Sequence, residues 1–175
     1  MDLQPTLAGD LVILRPTVPE DWDALYAVAS DPLIWEVHPA SDRWQEPIFR
    51  AYFDGALESG GGLTILDKAS GAIIGASRYY GHAPERDEIE IGWTFLARAC
   101  WGGTYNREVK RLMLDHIHLY VGNAVFLVGE GNFRSQRAME KIGGERQAGM
   151  RMRDYSTGPS PQIVYVIRRR EDSGA

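Results

Sequence analysis

The sequence contains one cysteine, Cys100, in 175 residues. A single thiol excludes an intramolecular disulfide and a cysteine-cluster zinc site. The four histidines show no metal-ligand spacing, so no metal is expected. No apolar run approaches the roughly 20 residues that span a bilayer, and residues 1–5 lack the apolar core of a secretory signal. We therefore expect a cytoplasmic protein that does not bind a membrane.

Basic residues are also in the minority. The chain has 19 Lys and Arg against 24 Asp and Glu, a formal net charge of -5, which disfavours a nucleic-acid partner. Internal repeats are absent, and the hydrophobic content of 44% is sufficient for one packed core. We expect a single domain over residues 1–170, followed by a polar C-terminal tail at 171–175.

Strand and helix patterns alternate along this domain. Short apolar or alternating runs predict strands at 11–15, 63–66, 72–80, 88–93, 124–128, 145–151 and 163–167. Apolar residues at helical spacing predict helices after residue 19, at 45–57, between the glycine pair at 102–103 and residue 120, and at 135–141. In the third helix, Lys110 is predicted on the polar face. The order predicts an α+β (mixed α/β) fold with helices on both faces of a mixed sheet.

Gly102 and Gly103 join a strand to the long third helix. Adjacent glycines can expose consecutive backbone N–H groups, and a helix N-terminus adds unpaired donors and partial positive charge. Such a cradle suits a pyrophosphate. A tight turn is nevertheless the commoner role of a glycine pair before a helix, and the Lys-Ser/Thr of a Walker motif is missing.

A second polar feature follows the apolar strand at 124–128. Asn132 and Ser135 have the spacing of a helix cap, which is the simpler interpretation of the pair. Arg134, Arg137 and Lys141 form a cationic stripe that could face a phosphate, although such stripes are usually solvated.

Glu88 and Glu90 lie two residues apart in one predicted strand, so their side chains share a face. Two neighbouring carboxylates can raise the pKa of one of them and produce a usable base. The hypothesis is that Glu90 is the base and Glu88 supports it. The alternative is that both belong to the solvent face of an exposed strand.

Taken in order, these segments resemble the Gcn5-related N-acetyltransferase (GNAT) superfamily. The resemblance rests on Glu90-Ile91-Gly92-Trp93, Trp101-Gly102, the basic amphipathic helix, the apolar strand and Asn132-x-x-Ser135 followed by 138–143. With Ile13-Leu14-Arg15-Pro16 near the start, the chain is most similar to the ribosomal-protein N-terminal acetyltransferases. The resemblance implies a mostly antiparallel sheet of six to seven strands, splayed around a cleft for acetyl-CoA.

The resemblance also implies direct transfer of an acetyl group from acetyl-CoA to a primary amine in a ternary complex. It places the pyrophosphate on the segment Trp101, Gly102, Gly103, Thr104, Tyr105, Asn106, Arg107, and the pantetheine arm on the backbone of Thr94, Phe95 and Leu96. Asn132 and Ser135 match positions near the cofactor thiol. Many relatives carry a tyrosine acid where this chain has Met139, so Ser135 or a water is expected to protonate the leaving thiolate.

Several alternatives remain open at the sequence level. Ala99, Thr104 and Met139 depart from the family pattern, which leaves a non-catalytic CoA-binding or regulatory domain as a second function. A protein-interaction module with an empty cleft is a third. The expected acceptor is a small-molecule amine or a peptide N-terminus. Aromatic candidates for its pocket are Trp35, Trp44, Tyr79 and Tyr80, and Ser77-Arg78-Tyr79 could meet a substrate carboxylate. The final strands leave homodimerisation open.

Overall fold

The computed structural model describes residues 1–170, so the tail predicted at 171–175 lies outside the described residues. The described chain contains eight strands: β1 (Leu7–Ala8), β2 (Val12–Pro16), β3 (Gly62–Asp67), β4 (Ile73–Ala83), β5 (Glu88–Leu96), β6 (Asn123–Gly129), β7 (Glu145–Tyr155) and β8 (Gly158–Arg168). Its four α-helices are α1 (Trp22–Ala29), α2 (Glu46–Glu58), α3 (Thr104–Ile117) and α4 (Phe133–Lys141). Within residues 1–170, no helix combines the length and apolarity needed to cross a bilayer.

The strands form one open sheet in the order β1-β2-β3-β4-β5-β6-β8-β7, in which only β5 and β6 are parallel neighbours. The predicted α+β fold is therefore confirmed. The sheet has eight strands in the described residues, against the six to seven expected. The additional strand is β1, which is two residues long and too short to show an alternating pattern.

Helices cover both faces of the sheet, as predicted. Val109 and Met113 of α3 and Met139 of α4 pack with Ile89 and Ile91 of β5 on one face. The other face carries α1 and α2, and its core is rich in aromatic side chains: Trp35, Phe49, Tyr52, Phe53 and Phe95. Because successive strand residues point to opposite faces, β5 serves both cores at once.

A β-bulge in β5 opens the centre of the sheet. Ala76 pairs with Phe95 and Arg78 pairs with Gly92, so β5 has one extra residue between these pairs. Trp93, within the bulge, has a φ of 53°, a left-handed conformation that is uncommon for a residue with a side chain. Bulges bend and twist the strand that contains them. Parallel pairing of β5 with β6 ends at Glu90 and Val125, and the two strands part beyond this point.

Candidate active site

A cleft of about 800 Å³ opens where β5 and β6 part. Residues 91–96 of β5 form one wall and residues 126–129 of β6 the other. Helices α3 and α4 complete the lining, together with residues of the segments 34–38 and 100–103. Within residues 1–170 neither wall has a partner strand on the cleft side, so backbone N–H and C=O groups there are available to a ligand. The exceptions are the Trp93 and Leu96 carbonyls, which accept from Tyr52 and Trp101. A cleft of this size suits a ligand with the dimensions of a cofactor.

The cleft is cationic although the whole chain is acidic. Its lining contains five basic residues and no Asp or Glu from the described part of the chain; the five are Arg107, Lys110, Arg134, Arg137 and Lys141. The stripe formed by Arg134, Arg137 and Lys141 thus borders the cleft rather than bulk solvent alone. An excess of fixed positive charge raises the local concentration of a polyanionic ligand.

The glycine pair lies at the mouth of this cleft and takes the conformation expected of an anion cradle. Gly102 and Gly103 have φ values of 115° and 100°, which residues with a Cβ rarely adopt. Gly103 is the N-cap of α3, and no side chain caps this helix end within the described residues. The first N–H groups of α3 therefore point outward without a side-chain acceptor, as phosphate-binding helix ends do.

Trp101 ties the glycine loop to both walls of the cleft. Its indole N–H donates to the Leu96 carbonyl at 3.0 Å, and the guanidinium of Arg134 lies 3.9 Å from the ring centroid. Burial lowers the pKa of Arg134 from its ordinary value. This cation–π contact joins α4 to the loop across the mouth of the cleft.

Asn132 and Ser135 act as the helix cap and also line the cleft. Asn132 is 6% exposed, and its side-chain oxygen accepts from the Ser135 N–H at 3.2 Å. Met139 follows one turn later and is also buried against the cleft. The cap interpretation is confirmed, while the role of Ser135 as an acid stays a prediction.

Lys110 lies deeper in the cleft, only 4% exposed. Its Nζ donates to the Thr94 hydroxyl, which bonds in turn to the Ser77 hydroxyl at 2.7 Å. Burial lowers the pKa of Lys110 to about 7. Lys110 was predicted on the polar face of α3, but the structure buries it. It follows Arg107 by one turn and Gly103 by two, so it shares the side of α3 that faces the cleft.

Glu88 and Glu90 lie on the α1/α2 face of β5, where arginines hold each of them. Glu88 accepts from Arg86 at 2.9 Å and pairs with Arg151 at 3.1 Å. Partial burial opposes its ionisation, but the bonds from Arg86 and Arg151 outweigh this effect and lower the pKa of Glu88. The raised pKa expected for one member of the pair is therefore not that of Glu88, and the role of Glu90 as the base stays a prediction. The solvent-face alternative is wrong too, because β5 is a central strand and only 11% of either side chain is exposed.

Glu90 has one bonded oxygen and one free oxygen. Oε2 accepts from Arg153 at 2.7 Å, while Oε1 is enclosed and has no hydrogen-bond partner within residues 1–170. The guanidinium of Arg153 also lies 4.4 Å from the ring centroid of Trp93, which lines the cleft. Glu90 is therefore connected to the cleft through Arg153 and Trp93, and it keeps an acceptor that is unsatisfied in the described chain.

Most predicted cofactor residues line the cleft. They are Thr94, Phe95, Leu96, Trp101, Gly102, Gly103, Asn106, Arg107, Asn132 and Ser135. Thr104 and Tyr105 do not: the Tyr105 hydroxyl donates to Asp67 at 2.9 Å, on the β3 side of α3. Consecutive helical residues point about 100° apart, so a continuous segment cannot all face one ligand. Among the aromatic candidates, Trp35 lines the cleft, whereas Tyr79 donates to the Met113 carbonyl in the core.

His38 was not anticipated and lies where the cleft meets a second cavity of about 380 Å³. Its Nδ1 accepts from the Ala40 N–H at 2.9 Å, an assignment that leaves the proton of the neutral ring on Nε2. Burial, together with Arg43, Arg153 and Arg134, lowers the pKa of His38 to about 3. His38 is therefore a neutral donor at the cleft. A lone histidine in a loop gives no sequence signal.

Comparisons with known proteins agree with this geometry. The family model of the acetyltransferase (GNAT) domain matches residues 12–145. A GCN5-related N-acetyltransferase from Brucella melitensis is 19% identical with a TM-score of 0.80, and the match covers 94% of this chain and 79% of that one. A proposed acetyltransferase from T. thermophilus is 27% identical with a TM-score of 0.75, covering 93% and 88%.

The microcin C7 self-immunity acetyltransferase MccE, solved with acetyl-CoA and AMP, is 12% identical with a TM-score of 0.76, covering 96% and 99%. No curated protein matches the sequence at a significant level. The family model spans most of the chain, and the solved structures above share its fold with TM-scores of 0.75 to 0.80. The chain belongs to the GNAT family of acetyltransferases.

Proposed function

We propose that the protein transfers the acetyl group of acetyl-CoA to a primary amine by direct attack in a ternary complex. The observation that carries this proposal is the cleft: five basic residues and, within residues 1–170, no carboxylate border it, and the uncapped end of α3 opens into it. That donor set suits a ligand with several phosphates. The family membership supports the same conclusion.

The chain offers a place for each part of acetyl-CoA. The N–H groups after Gly103 would hold the diphosphate, and Arg134, Arg137 and Lys141 would supply cations for a further phosphate. The open edge of β5 at Thr94, Phe95 and Leu96 would pair with the amides of the pantetheine arm. Bound acetyl-CoA would supply a thioester, whose carbon accepts the amine and whose sulfur leaves as a thiolate.

Acetyl transfer forms a C–N bond and breaks a C–S bond, and the chain must move two protons. The ammonium proton of the acceptor would pass to Glu90, directly or through a water, because its Oε1 has no other partner in the described chain. A backbone N–H in the β5 bulge would stabilise the developing oxyanion. The second nitrogen proton would leave as the tetrahedral intermediate collapses, and Ser135 or a water would pass it to the departing thiolate. Glu88 would support Glu90 only indirectly, through the arginines of β7.

A non-catalytic CoA-binding domain is the second candidate function. Two observations favour it: Met139 fills the position of a family tyrosine, and Arg153 occupies one oxygen of Glu90. The sequence motifs still most resemble those of ribosomal-protein N-terminal acetyltransferases, so peptide N-termini belong among the acceptors tested.

Calorimetric titration with acetyl-CoA, followed by an amine panel with thiol detection, separates these functions. Binding with amine-dependent release of CoA supports the enzyme. Binding without release from any amine supports the non-catalytic domain. Absence of binding contradicts both and favours a protein-interaction module.

A further inference from the structure

Arg43 is a buried cation without an ionic partner in the described chain. It is 7% exposed, and its guanidinium carbon lies 5.2, 5.1 and 5.9 Å from the ring centroids of Trp35, Tyr52 and Tyr155. Within residues 1–170 its side chain forms no ion pair and no hydrogen bond, and the neighbouring Asp42 carboxylate interacts with it only at longer range. Aromatic rings stabilise the charge but accept no conventional hydrogen bond, so the planar fork of N–H donors stays available.

Two further arginines, Arg78 and Arg153, lie near Arg43, and the three together are called the arginine cluster. Arg78 is 5% exposed and donates to the Tyr52 carbonyl at 2.7 Å, but its Nε is enclosed and unpartnered within the described residues. Arg153 bonds to Glu90, which among residues 1–170 is the only carboxylate paired with any of the three arginines. Among residues 1–170, the three guanidinium groups thus share one directly paired carboxylate, and Asp42 adds negative charge only at longer range. Buried charge that lacks a counter-ion is costly, so an anion is missing from this cluster.

The cluster adjoins the acetyl-transfer cleft. Trp35, Trp93 and His38 line the cleft, and Arg43 and Arg153 contact the rings of Trp35 and Trp93. Arg43 itself lines neither cavity and borders the cleft only through the ring of Trp35. Arg43 is thus connected to the cleft through Trp35, and Glu90 is connected to it through Arg153 and Trp93.

Two hydrogen bonds close the outer side of this region. Ser156 donates to Asp42 at 2.7 Å, and Thr157 donates to the Pro39 carbonyl at 2.7 Å. They join the β7–β8 turn to the loop that precedes α2, next to Arg43. Because the region around Arg43 is closed on this side, it favours a short acceptor molecule over an internal segment of a long peptide.

We propose that Arg43 binds a carboxylate of the acceptor, so that the substrate is an amine carrying a carboxylate close to its amino group, as in an amino acid. This inference rests on the proposed acetyl transfer and assigns its acceptor class. Arg43 would grip the carboxylate in a bidentate pair, Arg78 and Arg153 would add positive potential, and Glu90 would receive the amine.

Matched acceptors test the assignment. The full chain is assayed for acetyl-CoA-dependent thiol release with the common L-amino acids and with their carboxamides. We expect the best acid to exceed its carboxamide by about 10- to 100-fold in kcat/KM, the size expected for a hydrogen-bonded charge pair. Arg43→Gln should lose this preference, and Arg43→Lys should keep part of it. C-terminally amidated peptides with and without an acidic side chain reveal whether the carboxylate comes from a peptide instead.

Arg50→Gln is the matched control, because Arg50 also lies over an aromatic ring, 3.2 Å from the Trp22 centroid, but its side chain is 44% exposed and outside the cluster. The preference for the acid over its carboxamide should be retained in Arg50→Gln. Equal rates for acids and carboxamides, or an equal loss for both in Arg43→Gln, would overturn the inference and leave the acetyltransferase proposal standing.

Absence of thiol release with every acceptor counts against the proposed function instead. Calorimetry with the same amino acids in the presence of CoA then decides the inference. Binding that Arg43→Gln or Arg43→Lys abolishes or weakens supports it, and absence of binding by wild type overturns it.

Discussion

The two sides of β5 handle charge in different ways. On the α3/α4 side, basic side chains and an uncapped helix end border an open cleft whose described lining contains no carboxylate. On the α1/α2 side, three arginines lie against aromatic rings, and among residues 1–170 Glu90 is the only carboxylate directly paired with any of them. The first arrangement suits a mobile polyanion, and the second suits one small group held in a fixed geometry.

The two sides of β5 are also assembled from different kinds of segment. The cleft for the phosphates draws on short contiguous segments, chiefly the glycine pair with the start of α3, and the start of α4. The arginine cluster gathers residues from the loop before α2, from β4, from β5 and from β7. A family can therefore keep the first side as a local motif while the second side varies with the acceptor.

Glu90→Gln is expected to have the largest effect. If Glu90 accepts the amine proton, kcat should fall by about 100-fold or more, while acetyl-CoA affinity stays unchanged, because Glu90 lies on the opposite face of β5. Steady-state kinetics and calorimetry measure the two quantities. Glu85→Gln, which alters an exposed carboxylate paired with Arg86, serves as the control. Unchanged turnover in Glu90→Gln would remove this residue from the mechanism.

Lys110→Met tests the buried cation of the cleft side. Burial lowers the pKa of Lys110 to about 7, so above that pH the unfolded chain binds a proton that the folded chain does not. The free energy of unfolding of the wild-type protein should therefore increase by about 1.4 kcal/mol for each pH unit between about 7 and the ordinary lysine pKa. Lys110→Met should lack this gain, whereas Lys68→Met, at an exposed lysine, should keep it.

Urea unfolding of these variants at several pH values measures the slope. Identical pH dependence in wild type and Lys110→Met would show that the buried amine is charged in the folded chain. The apolar substitution should also raise stability at neutral pH, because it removes a buried group whose charge has no counter-ion in the described chain.

Gly103→Ala tests the anion cradle. A Cβ at a φ of 100° costs about 1–2 kcal/mol, and a loop that relaxes to avoid this strain should bind acetyl-CoA about tenfold more weakly. Gly71→Ala is a matched control, since Gly71 also has a positive φ, of 73°, and nothing within 4 Å of its Cβ position in the described chain. Equal acetyl-CoA affinity in both variants would contradict the role of the glycine loop.

Arg134→Gln should have the smallest effect. Loss of the contact with Trp101 removes about 0.5–1 kcal/mol, so acetyl-CoA affinity should fall roughly two- to fivefold, and more at low salt. Calorimetry at two ionic strengths measures this change. If affinity rises instead, Arg134 closes the mouth of the cleft against the ligand rather than binding it.

The secondary structure followed closely from the sequence. The helix predicted at 45–57 is Glu46–Glu58, and the strand predicted at 124–128 is Asn123–Gly129. The glycines and the apolar periodicity that indicate these elements lie within or next to the elements themselves. The anion cradle at Gly102 and Gly103 was also predictable, because a turn and the helix that follows it are contiguous.

The acceptor side could not be predicted in the same way. Arg153 and Glu90 are 63 residues apart in the chain, and no local pattern pairs them. Arg43 stands alone in a loop, and its significance depends on rings contributed by other elements.

Local periodicity and turn residues are thus enough to specify the elements, their order and the phosphate-binding loop, since each depends on neighbours in the chain. Tertiary packing alone decides that Lys110 faces the cleft, that arginines hold Glu88 and Glu90, and that Arg43 is buried with no counter-ion among residues 1–170. The physical reason is that burial and ion pairing depend on distances between segments far apart in sequence, and these distances exist only after the sheet has formed.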